Sequence, residues 1–167
     1  VTPINIDTYH ASGVTSFVKK RMQDVCISLF DSNILYVDAS TGKNLSELLL
    51  LCIVQSEHLD KLQKLANKKW GEHANSMLSV ALEGIPYIGP TLGRLTERRT
   101  AIPLYTGVYP SAMDELLVLF FGKTEHRFLI VIDAVELLTE PSFDLLTKLL
   151  KVRSVQCILI RTEETLQ

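Results

Sequence analysis

The sequence predicts an α/β fold, a three-layer α-β-α sandwich around a mostly parallel sheet. Three observations carry that expectation. Phe128 to Asp133 reads Phe-Leu-Ile-Val-Ile-Asp, five apolar residues set between Arg127 and a carboxylate. A continuous apolar run bounded by charge is the pattern of a strand buried on both faces of a parallel sheet. Such runs alternate along the chain with segments of helical periodicity, which argues for parallel strands joined by right-handed crossovers. Asp38 and Asp133 each close an apolar run, and the carboxyl ends of strands are where open α/β sheets bind ligands.

The elements follow in order. Pro3 to Ile6 is a candidate short first strand. Val14 to Leu29 has helical spacing, with Phe17, Val18, Met22, Val25, Cys26 and Leu29 on one face and Lys19, Lys20, Arg21 and Asp24 on the other. Asn33 to Val37 is a second strand leading into Asp38, and Ser40-Thr41-Gly42-Lys43 turns the chain. Asn44 or Ser46 caps a helix that is apolar nearly all round from Leu48 to Val54, the pattern of a helix covered on both sides. It either continues or breaks near Ser56 into Leu59, Leu62, Leu65 and Trp70. Glu83 to Gly93 holds three glycines and two prolines in eleven residues, so a packed loop is expected over about 83–100. Pro110 and Ser111 open a helix that ends near Gly122. The strand to Asp133 follows, then a helix opened by Pro141 and Ser142. A last strand, Val155 to Ile160, ends at Arg161-Thr162.

Composition narrows the classes. A chain of 167 residues, 47% hydrophobic and 22% charged, suits a single domain over 1–167 with a real core. The net charge of −2 sets up no basic field for nucleic acid, although Lys19-Lys20-Arg21 and Arg94, Arg98 and Arg99 form local clusters, so nucleic acid is not excluded. The longest apolar run, Leu48 to Val54, is too short to span a bilayer. The first residues, Val-Thr-Pro-Ile-Asn-Ile, do not read as a secretory leader. Cys26, Cys52 and Cys157 are scattered among apolar neighbours, as expected of buried free thiols in a reducing compartment, the cytoplasm or a nucleus. No C-x-x-C pair or clustered histidines suggest a metal centre.

One further motif lies near the N-terminus. Ala11-Ser12-Gly13-Val14-Thr15-Ser16 aligns with the phosphate loop G-x-x-x-x-G-K-[ST]. Gly13 takes the second glycine position and Thr15 the Mg²⁺-binding hydroxyl. Val14 stands where the lysine belongs, and Thr8 where the first glycine belongs. The amides of Gly13, Val14, Thr15 and Ser16 would still form an anion nest at a helix start. A plainer reading has Ser12 or Thr15 capping a helix and Asp133 capping the turn after its strand.

The phosphate-loop remnant, the strand ending in Asp133 and the strand ending in Arg161-Thr162 occur in an order that resembles the P-loop NTPases of the AAA+/STAND group, with RecA-like and origin-recognition-type ATPases on the same ground plan. Asp133-Ala134-Val135-Glu136 resembles the Walker B strand end of STAND members, with Leu137 in place of the second acid. The resemblance implies ATP and Mg²⁺ as ligands, with Thr15 and Asp133 holding the metal and Gly13, Val14, Thr15 and Ser16 cradling phosphate. It implies Glu136 as the residue orienting water and Arg161 as a γ-phosphate sensor. Loss of the lysine at Val14 and of an acid at Ala134 points to a degenerate member that binds nucleotide weakly or not at all and serves as a regulatory or scaffolding module. An active ATP-hydrolysing switch domain with a variant loop, and a RecA-like paralogue subunit in a DNA-processing complex, are the alternatives. The implied partners are other domains of a larger protein or protein subunits.

Overall fold

Phe128–Asp133 forms the strand its composition predicts, and all six residues are buried. In this computed structural model the described residues are 3–9, 33–74, 78 and 109–163. Strands β1 (Ile4–Tyr9), β2 (Ile34–Asp38), β3 (Phe128–Asp133) and β4 (Val155–Glu163) make one four-stranded, all-parallel sheet in the order β1-β4-β3-β2. Four α-helices accompany them among the described residues: α1 (Leu45–Val54), α2 (Leu59–Trp70), α3 (Tyr109–Gly122) and α4 (Glu140–Leu150). The mixed α/β class with a parallel sheet is therefore as expected.

The chain divides into two compact units, Val1–Leu48 with Phe121–Gln167, and Leu49–Phe120. The first carries the whole sheet. On one face Leu129, Val131, Ile158 and Ile160 form a buried cluster, with Ile34 and Tyr36 packed against it. Helix α4 lies along β4 and buries Leu145, Leu146 and Leu149. Phe121 and Phe128 meet edge to face with ring centroids 5.1 Å apart, and the Ser154 hydroxyl donates to the Phe121 carbonyl. In the second unit, α2 buries Leu62 and Ala66, and His58 sits edge-on to Phe120, so this histidine is a core residue. The Lys69–Glu115 ion pair at 2.7 Å is partly exposed and adds little stability.

Several boundaries differ from the sequence reading, each for a local reason. β1 does not stop at Ile6 but runs to Tyr9, because Asp7, Thr8 and Tyr9 pair with Arg161, Thr162 and Glu163. β4 is lengthened past Ile160 by the same pairing. β2 runs from Ile34 through Asp38. The long apolar helix breaks at Ser56, whose hydroxyl donates to the Ile53 carbonyl at 2.7 Å and accepts the His58 amide at 3.1 Å, replacing the helical ladder with a side-chain turn. Within α1, Leu48, Leu49, Leu50, Ile53 and Val54 are buried, while Leu51 and Cys52 are partly so. Residues 10–32 and 79–108, which include the expected first helix, the Gly/Pro-rich loop and the arginine cluster, lie outside the described residues, as does Cys26. Cys157 is buried and Cys52 half-buried. Desolvation pushes the thiols up to about 12 and about 11 respectively, so both stay protonated at neutral pH.

A polar cluster ties the starts of α1 and α4 together. Ser142, at 3% exposure, accepts the Leu45 amide at 3.0 Å. Thr139 donates to the Asn44 side-chain oxygen at 3.2 Å and lies 3.0 Å from the Ser142 hydroxyl. Glu47 reaches back to the Asn44 amide at 3.2 Å, one half of a capping box. Ser142→Ala strips a buried amide of its acceptor and is expected to cost about 1–2 kcal/mol. The expected readout is a lower urea midpoint at unchanged slope. An unmoved midpoint would show that the hydroxyl contributes nothing to the junction.

Candidate functional site

Two strand-ending aspartates of the sequence meet at the carboxyl rim of the sheet. Asp38 and Asp133 are Cα partners across β2 and β3, so two carboxylates stand side by side at neighbouring strand ends. Each is followed by a 3-10 turn, Ala39–Thr41 and Val135–Leu137, and the two turns touch. Because the sheet is parallel, β1 also ends at this rim, at Tyr9. Gly13 follows four residues later in the sequence. The β1→β2 connection crosses the sheet in one direction, whereas β2→β3 and β3→β4 return in the other. A change of direction between connections marks the kind of place at which open α/β sheets bind ligands.

Asp38 is committed locally. One of its side-chain oxygens accepts the Ser40 amide at 2.9 Å and the Ser40 hydroxyl at 2.6 Å, which caps the 3-10 turn. Gly42 ends that turn at φ +74°, a left-handed conformation that glycine adopts without steric cost. Lys43, half-buried just beyond it, occupies the same rim.

Asp133 is held more tightly. It is 8% exposed. Its Oδ2 accepts the Tyr36 hydroxyl at 2.6 Å, a length in the range of charge-assisted hydrogen bonds to a carboxylate. Its Oδ1 accepts the Ala134 amide at 2.9 Å. Tyr36 pairs with Val131, two residues before Asp133, so the period of two puts Tyr36 and Asp133 on one face and the phenol reaches forward along the strands to the carboxylate. Ala134 adopts φ +54° and ψ 45°, a left-handed conformation that costs a residue with a β-carbon about 1–2 kcal/mol. That turn presents its amide to Asp133. The 3-10 turn itself has Ala134 at its N-cap position and no side-chain cap, so Asp133 holds the amide of the next residue rather than capping the turn.

Arg161 and Glu136 are placed differently. Val131 pairs with Ile158 and Ile132 with Leu159, which sets Ile160 level with Asp133 and on its face. Arg161 therefore lies on the opposite face of the sheet, paired with Asp7 and exposed. There it lines a recess of about 310 Å³ together with Asn5, Val135 and Leu159. Glu136 is exposed on the 3-10 turn after β3. Gly13, Val14, Thr15 and Ser16 lie outside the described residues. The rim thus brings Asp133 together with Asp38 and Tyr36, whereas it sets Arg161 on the other face.

Mg²⁺ demands near-octahedral oxygen ligation and keeps several of its waters. Asp133 is almost fully enclosed, which leaves little room for those waters, so the arrangement does not fit an open Mg²⁺ ligand. No group of three or more histidine, cysteine, aspartate or glutamate side chains capable of holding a metal occurs among the described residues. Tyr36 is the member of this cluster that the sequence reading did not single out. Its only trace in the sequence is an aromatic hydroxyl two residues ahead of a strand-ending aspartate. No helix among the described residues is long and apolar enough to cross a membrane. No protein-family model, curated protein or solved structure matches this chain.

Proposed function

We propose that the chain is a degenerate P-loop NTPase-like module that binds nucleotide weakly or not at all and serves as a regulatory or scaffolding part of a larger protein assembly. The observation that carries this reading is the state of Asp133: the carboxylate that would serve a metal is enclosed and bonded to Tyr36 and to the Ala134 amide. The departure at Val14 acts in the same direction, since no ammonium stands beside the would-be phosphates at that position. The reading is further supported by the strand order, in which β1, leading towards Gly13, ends at the same rim as Asp133. Protein partners suit the surface of the sheet-bearing unit, where Leu137 and Phe143 are 56% and 44% exposed on the connection between β3 and β4.

Calorimetric titration with ATP and Mg²⁺ tests this. The expected result is no saturable heat tighter than about 1 mM, the affinity of roughly −4 kcal/mol at which a site stops competing at cellular nucleotide levels. A hydrolysis assay with Asp133→Ala as control runs beside it. Turnover by the natural chain that vanishes in Asp133→Ala would overturn the scaffold reading in favour of an ATP-hydrolysing switch.

A further inference from the structure

We propose that the outward face of α4, together with the 3-10 turn ahead of it, is a docking surface for a basic amphipathic helix of a protein partner. The inference rests on the reading of the chain as a scaffolding module and gives that module a partner of stated chemistry.

Two apolar side chains mark the surface. Helix α4 turns Ser142, Leu145, Leu146 and Leu149 inward, which leaves Phe143 on its outer side, 44% exposed. Leu137, 56% exposed, precedes it on the 3-10 turn. Neither exposure comes from a loose backbone. The Leu137 amide donates to the Ala134 carbonyl at 2.9 Å and the Leu138 amide to the Val135 carbonyl at 3.1 Å, so the turn that buries Val135 and Leu138 puts Leu137 outside. The Phe143 amide donates to the Thr139 carbonyl at 3.1 Å and fixes the first turn of α4. Apolar groups held out on hydrogen-bonded backbone have little ordering entropy left to lose on binding, which suits them as anchors.

The charges select the partner. Glu140 and Asp144 are both exposed and stand one helical turn apart, at i and i+4, beside Phe143. Like charges at that spacing repel. The helix dipole compensates Glu140, which lies in the first turn, whereas Asp144 lies past it. From Phe128 to Thr147 the sequence holds no lysine, arginine or histidine, so the counter-charge is not local. An exposed ring beside a repulsive pair is a cost to the lone chain, and one kind of neighbour relieves both parts of it. That neighbour is a helix with an apolar stripe for Leu137 and Phe143, and with Lys or Arg one turn apart for the two carboxylates. The same carboxylates repel the phosphates of nucleic acid and the anionic surface of a membrane, which disfavours those two classes.

The test uses the full 167-residue chain, labelled for amide resonance mapping. The probe is a synthetic amphipathic helix of leucine and lysine about five turns long, with a leucine and glutamate helix of the same pattern as its counterpart. The expected result is saturable binding of the lysine helix that moves the amide resonances of residues 137–147 more than the others. Phe143→Ser should weaken it about tenfold or more, the loss of a buried aromatic anchor. Glu140→Lys/Asp144→Lys should exchange the preference, taking the glutamate helix and rejecting the lysine one. These side chains point outward, where substitutions seldom disturb the fold; should Phe143→Ser not fold, Leu137→Ser takes its place and the resonance map of the natural chain still decides. Unchanged affinity in the serine variant, a preference that charge reversal leaves in place, or shifts centred elsewhere would overturn the proposal. So would binding of phosphatidylserine vesicles through the same resonances, or self-association of the chain that Phe143→Ser abolishes, since a membrane or a second copy would then be the occupant. Failure here is separable from failure of the scaffold reading, which turns on ATP hydrolysis by the unmodified chain.

Discussion

Phe128→Ala is expected to be the most damaging single truncation in the sheet-bearing unit, at about 3–5 kcal/mol. Phe128 is fully buried at the start of β3. Its ring meets Phe121 at an interplanar angle of 82°, an edge-to-face contact that adds about 0.5–1.5 kcal/mol beyond the area buried. Truncation leaves a ring-sized void between the end of α3 and the sheet, and the β3 backbone, hydrogen-bonded on both sides, has little freedom to collapse into it. In a chain of this size the loss corresponds to a fall in Tm on the order of 10 °C. Phe121→Ala combined with Phe128→Ala should cost less than the two alone, because both remove the same contact. A fall in Tm of only a degree or two for Phe128→Ala would mean that this corner is loosely packed.

Asp133→Ala is expected to destabilise by about 2–4 kcal/mol, by a different route. The substitution removes an acceptor of the Tyr36 hydroxyl and of the Ala134 amide, both part-buried, and loss of a hydrogen bond to a charged group costs about 1.5–3 kcal/mol. Asp133→Asn, which keeps one carbonyl oxygen, should fall between the variant and the natural chain. The sign carries the information. Residues retained for chemistry are commonly strained, and replacing them tends to leave stability unchanged or improve it. A carboxylate retained for structure behaves in the opposite way. Urea unfolding of Asp133→Ala at neutral pH reads the difference directly, and a midpoint at or above that of the natural chain would return Asp133 to the candidate metal ligands.

What could be read from the sequence follows from what each residue touches. β3 was legible because burial on both faces leaves no polar position to confuse the pattern, and α4 because Pro141 and Ser142 open it and its leucines keep a helical period. The far half of β1 was not: Asp7-Thr8-Tyr9 has no apolar alternation, and it is a strand because β4 runs beside it. The break at Ser56 depends on one hydroxyl that both donates and accepts, a choice that helical spacing alone leaves open. The placement of Arg161 illustrates the period of two. A one-residue offset relative to Ile160 decides which face it occupies, and the apolar run before it does not state the register against β3. The bond from Tyr36 to Asp133 joins positions 97 residues apart, and it exists only because β2 and β3 align Asp38 with Asp133. Strand-end aspartates are visible in a sequence; what lies within reach of them is settled by register.

The pairing of β1 with β4 beyond Ile160 has a consequence for the level of the strand ends. Ile160 is level with Asp133, and β4 continues for three more residues to Glu163 with β1 alongside to Tyr9. At about 3.3 Å per residue, this two-stranded ledge stands roughly 10 Å proud of the floor formed by β2 and β3. The platform is a terrace with a wall along one side. Groups carried by the last three residues of β4 therefore stand beyond the level of Asp133 rather than beside it.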